Sequence, residues 1–266
     1  MSYDRLTSMV KEEIGVGLPP NKRLMVESRL KRRILTLGLP DLDAYLDHVF
    51  VGGALSEERD VIFDAVTTNK TDFFREPEHF RILASKIIPA RRKGGGEAFK
   101  IWSAAASTGA EAWTIAMVCA EATQDGPLDW RILGTDINKA VLDVAELAIY
   151  DDNQLAPVPP HFATRWLMRG TGDSAGQSRI HPQLRQRVHF QRLNLMGRAY
   201  PVDRDVDVIF LRNVLIYFDA EDQARVLHQL AEHLAPGGYL IVGHSESMVV
   251  RGIGLTQKAP AVYRKD

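Results

Sequence analysis

Residues Phe99–Met117, FKIWSAAASTGAEAWTIAM, carry the reading of the fold. Phe99, Ile101 and Trp102 make a short apolar run of β-forming residues, which predicts a buried strand. Ser103–Gly109 is then a run of very small side chains closing on Ser-Thr-Gly. Ala112, Ile115 and Ala116 follow at helical spacing, and Met117 and Cys119 widen the apolar face. A bare loop between strand and helix is where an open α/β sheet holds a ligand: small residues let the backbone come close, and N–H groups at a helix start attract anions. A joint that needs small residues only for packing has the same pattern. The stretch by itself supports both readings.

Downstream, WRILGTDI predicts a second strand ending in Asp136, and an acid at that point of a βαβ unit is placed to accept both hydroxyls of a ribose. It lies further from Gly109 than the ~20 residues of a dinucleotide fold. Asn138–Tyr150 reads as a helix with Val141, Leu142, Ala145 and Ala148 inward. Residues 151–192 break the rhythm: APVPP is extended, Phe162 and Trp166 suggest a short helix, and RGTGDSAGQSR is a Gly-rich turn, together a small β-hairpin insertion. VHFQRLNL alternates as a strand returning to the sheet, and VDVIFLRNVLIYF is another buried strand running to Arg212, Asn213 and Tyr217. Gln223–Leu234 reads as a helix, APGGYLIVGHSES as a turn plus strand, and QKAPAVYRK as an edge strand. QDGPLD and RRKGGGE are expected turns, the latter flexible. Such alternation of β and α implies a mostly parallel sheet covered on both faces.

Upstream, residues 1–67 read as helical throughout. Tyr3, Leu6, Met9 and Val10 open one amphipathic helix and GVGLPPN ends it. Lys22–Leu37 places Val26, Leu30, Ile34 and Leu37 on one side and Arg29, Arg32 and Arg33 on the other. That face is either simply solvated or a site for an acidic partner. Asp41 and Ser56 are candidate caps for two further helices. Thr67–Phe80, TTNKTDFFREPEHF, is a junction in which Asn69, Thr71 and Arg75 can share a side if a helix begins near Thr71. The plainer reading is a helix cap at Thr71 or Asp72 followed by a Phe73–Phe74 contact. A helix over Phe80–Ile88 follows.

The chain has 33 Lys+Arg against 34 Asp+Glu, so no overall field draws it to nucleic acid or membrane. The single cysteine, Cys119, excludes an intramolecular disulfide and a cysteine metal cluster. The N-terminus carries acids where a signal peptide needs an apolar core, and no apolar stretch reaches the ~20 residues that span a bilayer. The expectation is a cytoplasmic protein.

The nicotinamide loop G-x-G-x-x-G is absent, and the methyltransferase pattern G-x-G-x-G survives only in degraded form as Ala105-Ala106-Ser107-Thr108-Gly109. The wider chain is more specific. WSAAASTGAEAWTIAM, LGTDINKAVLDVAELAIY, LNLM, VDVIFLRNVLIYFD and LAPGGYLIVGHSES occur in the order and spacing of the CheR chemotaxis methyltransferases. TTNKTDFFRE resembles that family's junction motif and SRLKRRILTLGL its basic N-terminal helix. One departure stands out: the family's Gly-Glu-Glu-Pro is Gly109-Ala110-Glu111-Ala112 here, with the first acid and the proline lost.

The resemblance implies an α/β fold, a class I, Rossmann-like S-adenosylmethionine-dependent methyltransferase sheet with a small β-hairpin insertion, preceded by an all-helical domain. Residues 1–67 would recognise a receptor, 68–90 would be a junction reaching the cofactor, and 91–266 the methyltransferase domain, with the β-subdomain within 151–192. The implied activity moves a methyl group from S-adenosyl-L-methionine to the γ-carboxylate of glutamates in methyl-accepting chemotaxis receptors, leaving S-adenosyl-L-homocysteine. No metal, nucleic acid or membrane insertion is implied; the protein would be recruited to membrane receptor arrays. Carried over residue by residue, Asn69, Thr71 and Arg75 border the cofactor, and Ala105, Glu111 and Asp136 hold it, Asp136 through the ribose. Asn194 and Leu195 lie at the adenine, and Leu211, Arg212, Asn213 and Tyr217 close the site after the fourth strand. Arg75 and Tyr217 would be the catalytic pair. Arg29, Arg32 and Arg33 would meet the receptor, and Arg169, Gly170 and Gly172, in MRGTGDSAGQSRIHPQL, would bind a tethering peptide at its C-terminus.

The residue types suit that chemistry. A glutamate side chain, with a reference pKa of about 4.3, is already ionised near neutrality and needs no base, so positioning is what remains. An arginine binds a carboxylate through two parallel hydrogen bonds and a tyrosine hydroxyl fixes another side. The plainer alternatives are a packed aromatic at Tyr217 and a surface ion pair of Arg75 with Glu76 or Glu78. Two rival functions remain at this stage. A nucleic-acid methyltransferase would show a basic surface and an Asn/Asp-Pro-Pro-aromatic motif where this chain has Arg212-Asn213-Val214. A docking module would keep the fold without turnover.

Overall fold

The computed structural model describes residues 2–94, 98–124, 126, 128–250 and 252–266. Gly95, Gly96 and Glu97 of the RRKGGGE turn, and Asp125 and Pro127 of QDGPLD, lie outside them. The strands are β1 (Phe99–Ala104), β2 (Trp130–Asp136), β3 (Ile149–Asp151), β4 (Leu167–Arg169), β5 (Gln177–Ile180), β6 (Val188–Arg192), β7 (Val206–Leu211), β8 (Leu234–Val242), β9 (Leu255–Ala259) and β10 (Val262–Lys265). The main sheet runs β6-β2-β1-β7-β8-β10-β9, parallel from β6 to β8 and antiparallel at β10 and β9. The chain winds outward from β1 in both directions, so the crevice for a ligand opens beyond the carboxyl ends of β1 and β7.

Period-two alternation builds a core on each face of this sheet. Phe99, Ile101, Val208 and Phe210 join the layer that includes Trp113 and Ile115. Trp102, Ala104, Ile209 and Leu211 join the layer that includes Val226, Leu227 and Leu230 of the helix Ala220–His233. A third core lies within the N-terminal helices α1 (Ser2–Ile14), α2 (Arg23–Thr36), α3 (Leu42–Phe50) and α4 (Leu55–Val66). Asp41 caps α3, accepting from Ala44 N–H at 2.9 Å, whereas Ser56 lies inside α4, whose cap position is Ala54. The bundle is pinned to the sheet domain by Lys11 with Asp219 and Asp222 (2.6 and 2.9 Å), by a two-pronged Arg192–Asp60 pair, and by Asn138, whose amide donates to Thr67 Oγ1 at 3.0 Å.

Several expectations change. The junction stays extended and then bends sharply, with Phe74 and Glu76 at φ 53 and 55, so α5 (Pro77–Ile82) starts at a proline and not at Thr71. It continues through a wide turn at Leu83–Ile87 into α6 (Ile88–Gly94). After α7 (Ala110–Ala122), the helix α8 (Lys139–Leu147) stops short of Tyr150 because Ala148 turns left-handed at φ 55 and Ile149–Asp151 pairs with β5. The insertion contains the expected hairpin, β4–β5, widened by β3 into a three-stranded sheet β3-β5-β4, and β6 returns to the main sheet as expected. QKAPAVYRK forms a hairpin turning at Pro260-Ala261; β10 sits inside the sheet and β9 is the edge.

The loop between β1 and α7 explains how a degraded glycine pattern works. Ala105, Ser107 and Gly109 take φ values of 62, 51 and 86, the left-handed conformation at each place where G-x-G-x-G has glycine. Neighbouring bonds hold it there: Ala106 N–H donates to Thr135 O at 2.8 Å, Ser107 N–H to Asp136 Oδ2 at 2.9 Å, and Ser107 Oγ–H to Asn69 O at 2.8 Å. Left-handed backbone costs a non-glycine residue about 1–2 kcal/mol. Glycine loses about 0.5–1 kcal/mol through chain entropy. Ala105→Gly is therefore expected to raise stability by roughly 0.5–1 kcal/mol, read as a higher midpoint in thermal denaturation.

Candidate functional site

A cleft of about 1080 Å³, counted with its open mouth, lies over the carboxyl ends of β1, β2, β6 and β7. Of the residues assigned to cofactor or catalysis, it gathers Asn69, Thr71, Arg75, Ala105, Glu111, Asp136, Asn194, Leu195, Arg212, Asn213 and Tyr217 on one wall or another. Leu211 is the exception. Its side chain is fully buried in the core with Val226 and Leu230, because alternation along β7 turns it away from the cleft. The N-terminal bundle also contributes wall, through Ile14, Val16, Lys22 and Val66.

Asp136 ends β2 with its two oxygens accepting backbone N–H groups, Oδ1 from Asn138 and Oδ2 from Ser107, each at 2.9 Å. Burial raises its pKa, and those N–H groups oppose the rise. Each oxygen retains a further acceptor direction. Asn194 accepts from Met196 N–H at 2.9 Å and donates to Glu13 O at 2.7 Å, so its side chain links the post-β6 loop to α1.

Arg212 is the most buried cation of the site, its side chain 2% exposed. It donates to Glu111 Oε2 at 2.9 Å, pairs with Glu76 at 3.2 Å, hydrogen-bonds Arg75 O, and lies over Phe80, 5.4 Å from the ring centroid. Glu111 in turn accepts from Ser103 Oγ–H at 2.6 Å. Burial raises the Glu111 pKa, with Arg212 and Ser103 pulling it back. Burial works on Glu76 in the same sense, but Arg212 outweighs it and the pKa falls. Glu111 and Arg212 thus form a buried ion group in the cleft wall. Arg75 is left facing the cleft: its guanidinium reaches Lys70 O at 3.5 Å and makes no ion pair among the described residues, so the alternative of a pair with Glu76 or Glu78 does not form. Tyr217 lines the cleft beside Phe218 and makes no side-chain hydrogen bond among the described residues.

Glu76, His79 and His244 bring ligand atoms within 4.8 Å of one another, the one grouping of metal-binding type among the described residues. Burial, then Arg212, lowers the His79 pKa to about 4, which leaves a neutral imidazole. The Arg212 guanidinium already occupies Glu76 and repels a cation, so we assign no metal to it.

The basic face of α2 divides. Arg29 donates to Ala65 O and Thr67 O at 3.1 and 2.7 Å, and Arg33 clasps Glu58, a 1%-exposed acid that also accepts from Tyr45 at 2.9 Å. Those two guanidiniums tie α2 to α4; Arg32 is exposed. Arg169, Gly170 and Gly172 lie away from the cleft, at the end of β4 and in the turn to β5. The residues replacing the usual acid and proline, Ala110 and Ala112, are buried in the core and absent from the cleft wall, so the departure leaves the cleft surface intact. Residues not singled out from sequence include Lys22, Ser107, Ile137 and Phe218. Ser107 had a signal in its small-residue loop; Lys22 had none, because only the docking of the bundle brings it there.

The SAM-binding domain of the CheR methyltransferases matches residues 69–260, and their all-alpha domain matches residues 1–67. The chain belongs to the CheR methyltransferase family. It is 38% identical to the chemotaxis protein methyltransferase of Escherichia coli K12 over 98% of this chain and 89% of that protein. It is 37% identical to chemotaxis protein methyltransferase 2 of Pseudomonas aeruginosa, over 93% and 88%, and 32% identical to the Borreliella burgdorferi chemotaxis protein methyltransferase, over 98% and 93%. This CheR-family chain is a S-adenosylmethionine-dependent methyltransferase. No helix is long and apolar enough to cross a membrane.

Removing one member of the buried ion group leaves the others uncompensated. Arg212→Met is expected to lower the unfolding free energy by about 3–5 kcal/mol at neutral pH, measured by denaturant titration. The loss should narrow as pH falls, because protonation relieves the orphaned Glu111.

Proposed function

We propose that the cleft holds S-adenosylmethionine and that the chain methylates glutamate side chains of chemoreceptors, making γ-carboxyl methyl esters. The observation carrying this reading is the pairing of Asp136 at the tip of β2 with a free-facing Arg75 across the same cleft. The residues fit such a cofactor. The left-handed loop at Ala105 and Ser107 lets the backbone close on a ligand, Asp136 offers acceptors for ribose hydroxyls, and Ile137, Leu195 and Val214 offer apolar surface to a base. Asn69, Thr71, Asn194 and Asn213 supply neutral polar contacts around it. Glu111, held by Arg212 and Ser103, keeps an acid near the loop for the ammonium end.

When bound, S-adenosylmethionine supplies a methyl group on a positively charged sulfur that leaves as a neutral thioether. The acceptor carboxylate carries its own charge at neutral pH, so the chain needs no general base or acid. Arg75 and Tyr217 orient it, the guanidinium by parallel hydrogen bonds and the hydroxyl from another side. Binding the nucleophile too strongly would slow it, so orientation outweighs neutralisation. Arg32, on the open part of the α2 face, suits an acidic receptor surface. The short sheet β3-β5-β4 suits an extended receptor peptide bound along the edge strand β4, near Arg169, Gly170 and Gly172, which would raise the effective concentration of the target.

The test is transfer of labelled methyl to a receptor cytoplasmic fragment followed by mild alkali. Label released as methanol is the expected result; label that survives means a nitrogen or ether acceptor and overturns the glutamate reading. Arg75→Ala should lower kcat/KM about 10–100-fold, the loss of charge-assisted hydrogen bonds worth about 1.5–3 kcal/mol. Asp136→Ala should weaken S-adenosylhomocysteine binding about tenfold or more by calorimetry, and an unchanged affinity would mean that the ribose lies elsewhere.

A further inference from the structure

The chain leaves β7 through Arg212 and Asn213 and enters a single helical turn, Leu215–Tyr217. The backbone of that passage is held by a side chain from another loop. Glu246, 2% exposed, closes the short turn His244–Glu246 after β8. Its Oε2 accepts the N–H groups of Asn213 and Gly243, and its Oε1 the N–H of Leu215, all at 2.8 Å. Asn213 stands at φ 60, a left-handed position that a non-glycine residue keeps only when its surroundings impose it. Two charge-assisted bonds from Glu246 to that passage do so, while the third, from Gly243 N–H, fixes the carboxylate within its own turn. The fit is close: a Cβ on Gly243 would lie 2.6 Å from Glu246 Oε2 and 2.8 Å from Asn213 Nδ2.

The same turn touches the other side of the site. The His244 ring packs 4.9 Å from the ring of His79, which is fully buried. His79 Nδ1 lies 3.4 Å from Glu76, the neighbour of Arg75. Tyr217 lacks a side-chain hydrogen bond among the described residues, so the backbone of its turn sets its direction.

We propose that Glu246 is a positioning residue for methyl transfer. Through the N–H groups of Asn213 and Leu215 it sets Tyr217 at the cleft, and the turn it closes braces the Arg75–Glu76 bend through His244 and His79. The inference rests on the reading of Arg75 and Tyr217 as the groups that orient the acceptor. Glu246→Gln retains the side-chain length but offers one acceptor oxygen to three N–H groups and turns its NH2 on one of them.

In the full chain, Glu246→Gln should lower kcat for a receptor fragment about tenfold or more, as a displaced orienting group does, with S-adenosylhomocysteine affinity falling clearly less than kcat because Asn213 is the one cofactor contact that hangs from Glu246. The factor lost on Tyr217→Phe should shrink when Glu246→Gln is already present, since a misplaced ring has less to lose. Factors that multiply independently, or cofactor affinity falling in step with kcat, overturn the inference alone. A Tyr217→Phe variant with unchanged kcat overturns the underlying reading of Tyr217 as well. Should Glu246→Gln fail to fold, Gly243→Ala displaces the same carboxylate and should show the same split between kcat and affinity; a folded Gly243→Ala variant with unchanged kcat also overturns it.

Discussion

One buried guanidinium ties together three segments that are distant in sequence. Arg212, at the end of β7, meets Glu111 on the first turn of α7 and Glu76 and the Arg75 carbonyl in the junction. Buried Phe73 and Phe80 and the bond from Phe74 N–H to Thr114 Oγ1 seat the junction on the sheet, and Arg212 fixes the bend where Phe74 and Glu76 take left-handed backbone. A buried ion group is a poor source of net stability, because desolvation offsets most of the attraction. Its value lies in geometry: only one arrangement satisfies both acids and the carbonyl, and that arrangement leaves Arg75 facing the cleft.

The β1–α7 loop shows the same logic with a different chemistry. The conformation that a glycine pattern ordinarily permits is here imposed on alanine and serine by Thr135, Asp136 and Asn69. Asp136 therefore shapes the loop with the same oxygens that face the cleft. The loop and the acid form one unit, and the missing glycines change its cost more than its shape.

Much of this was legible in the chain. The run VDVIFL is buried along almost its whole length and reads as a central strand for that reason, and Arg75 and Asp136 stood at positions whose chemistry could be named. What escaped depends on partners from other elements. Ala148 and Ala261 make left-handed turns without a glycine to announce them, so the end of α8 and the β9–β10 hairpin were missed. A basic helix stripe does not say whether a neighbouring helix offers carbonyls or a buried acid, which is why Arg29 and Arg33 looked free. Glu246 sits in a polar turn and resembles any solvated acid until the strand end beside it is placed. Leu211 is the opposite case: its position in the alternation already placed it in the core.

The cleft is walled in part by Ile14, Val16, Lys22 and Val66, and Asn194 reaches across to Glu13. At Gly15, φ 73, the chain passes so close to Met196 and Phe218 that an added Cβ would lie 2.7 Å from the sulfur. A ligand filling this cleft therefore contacts both domains at once, and its binding energy becomes docking energy between them. For a ligand that binds only the docked arrangement, saturation at a hundred times Kd favours docking by about 2.7 kcal/mol. For such a ligand the helical bundle is part of the seat, and whatever holds the bundle against the sheet also slows the ligand's departure.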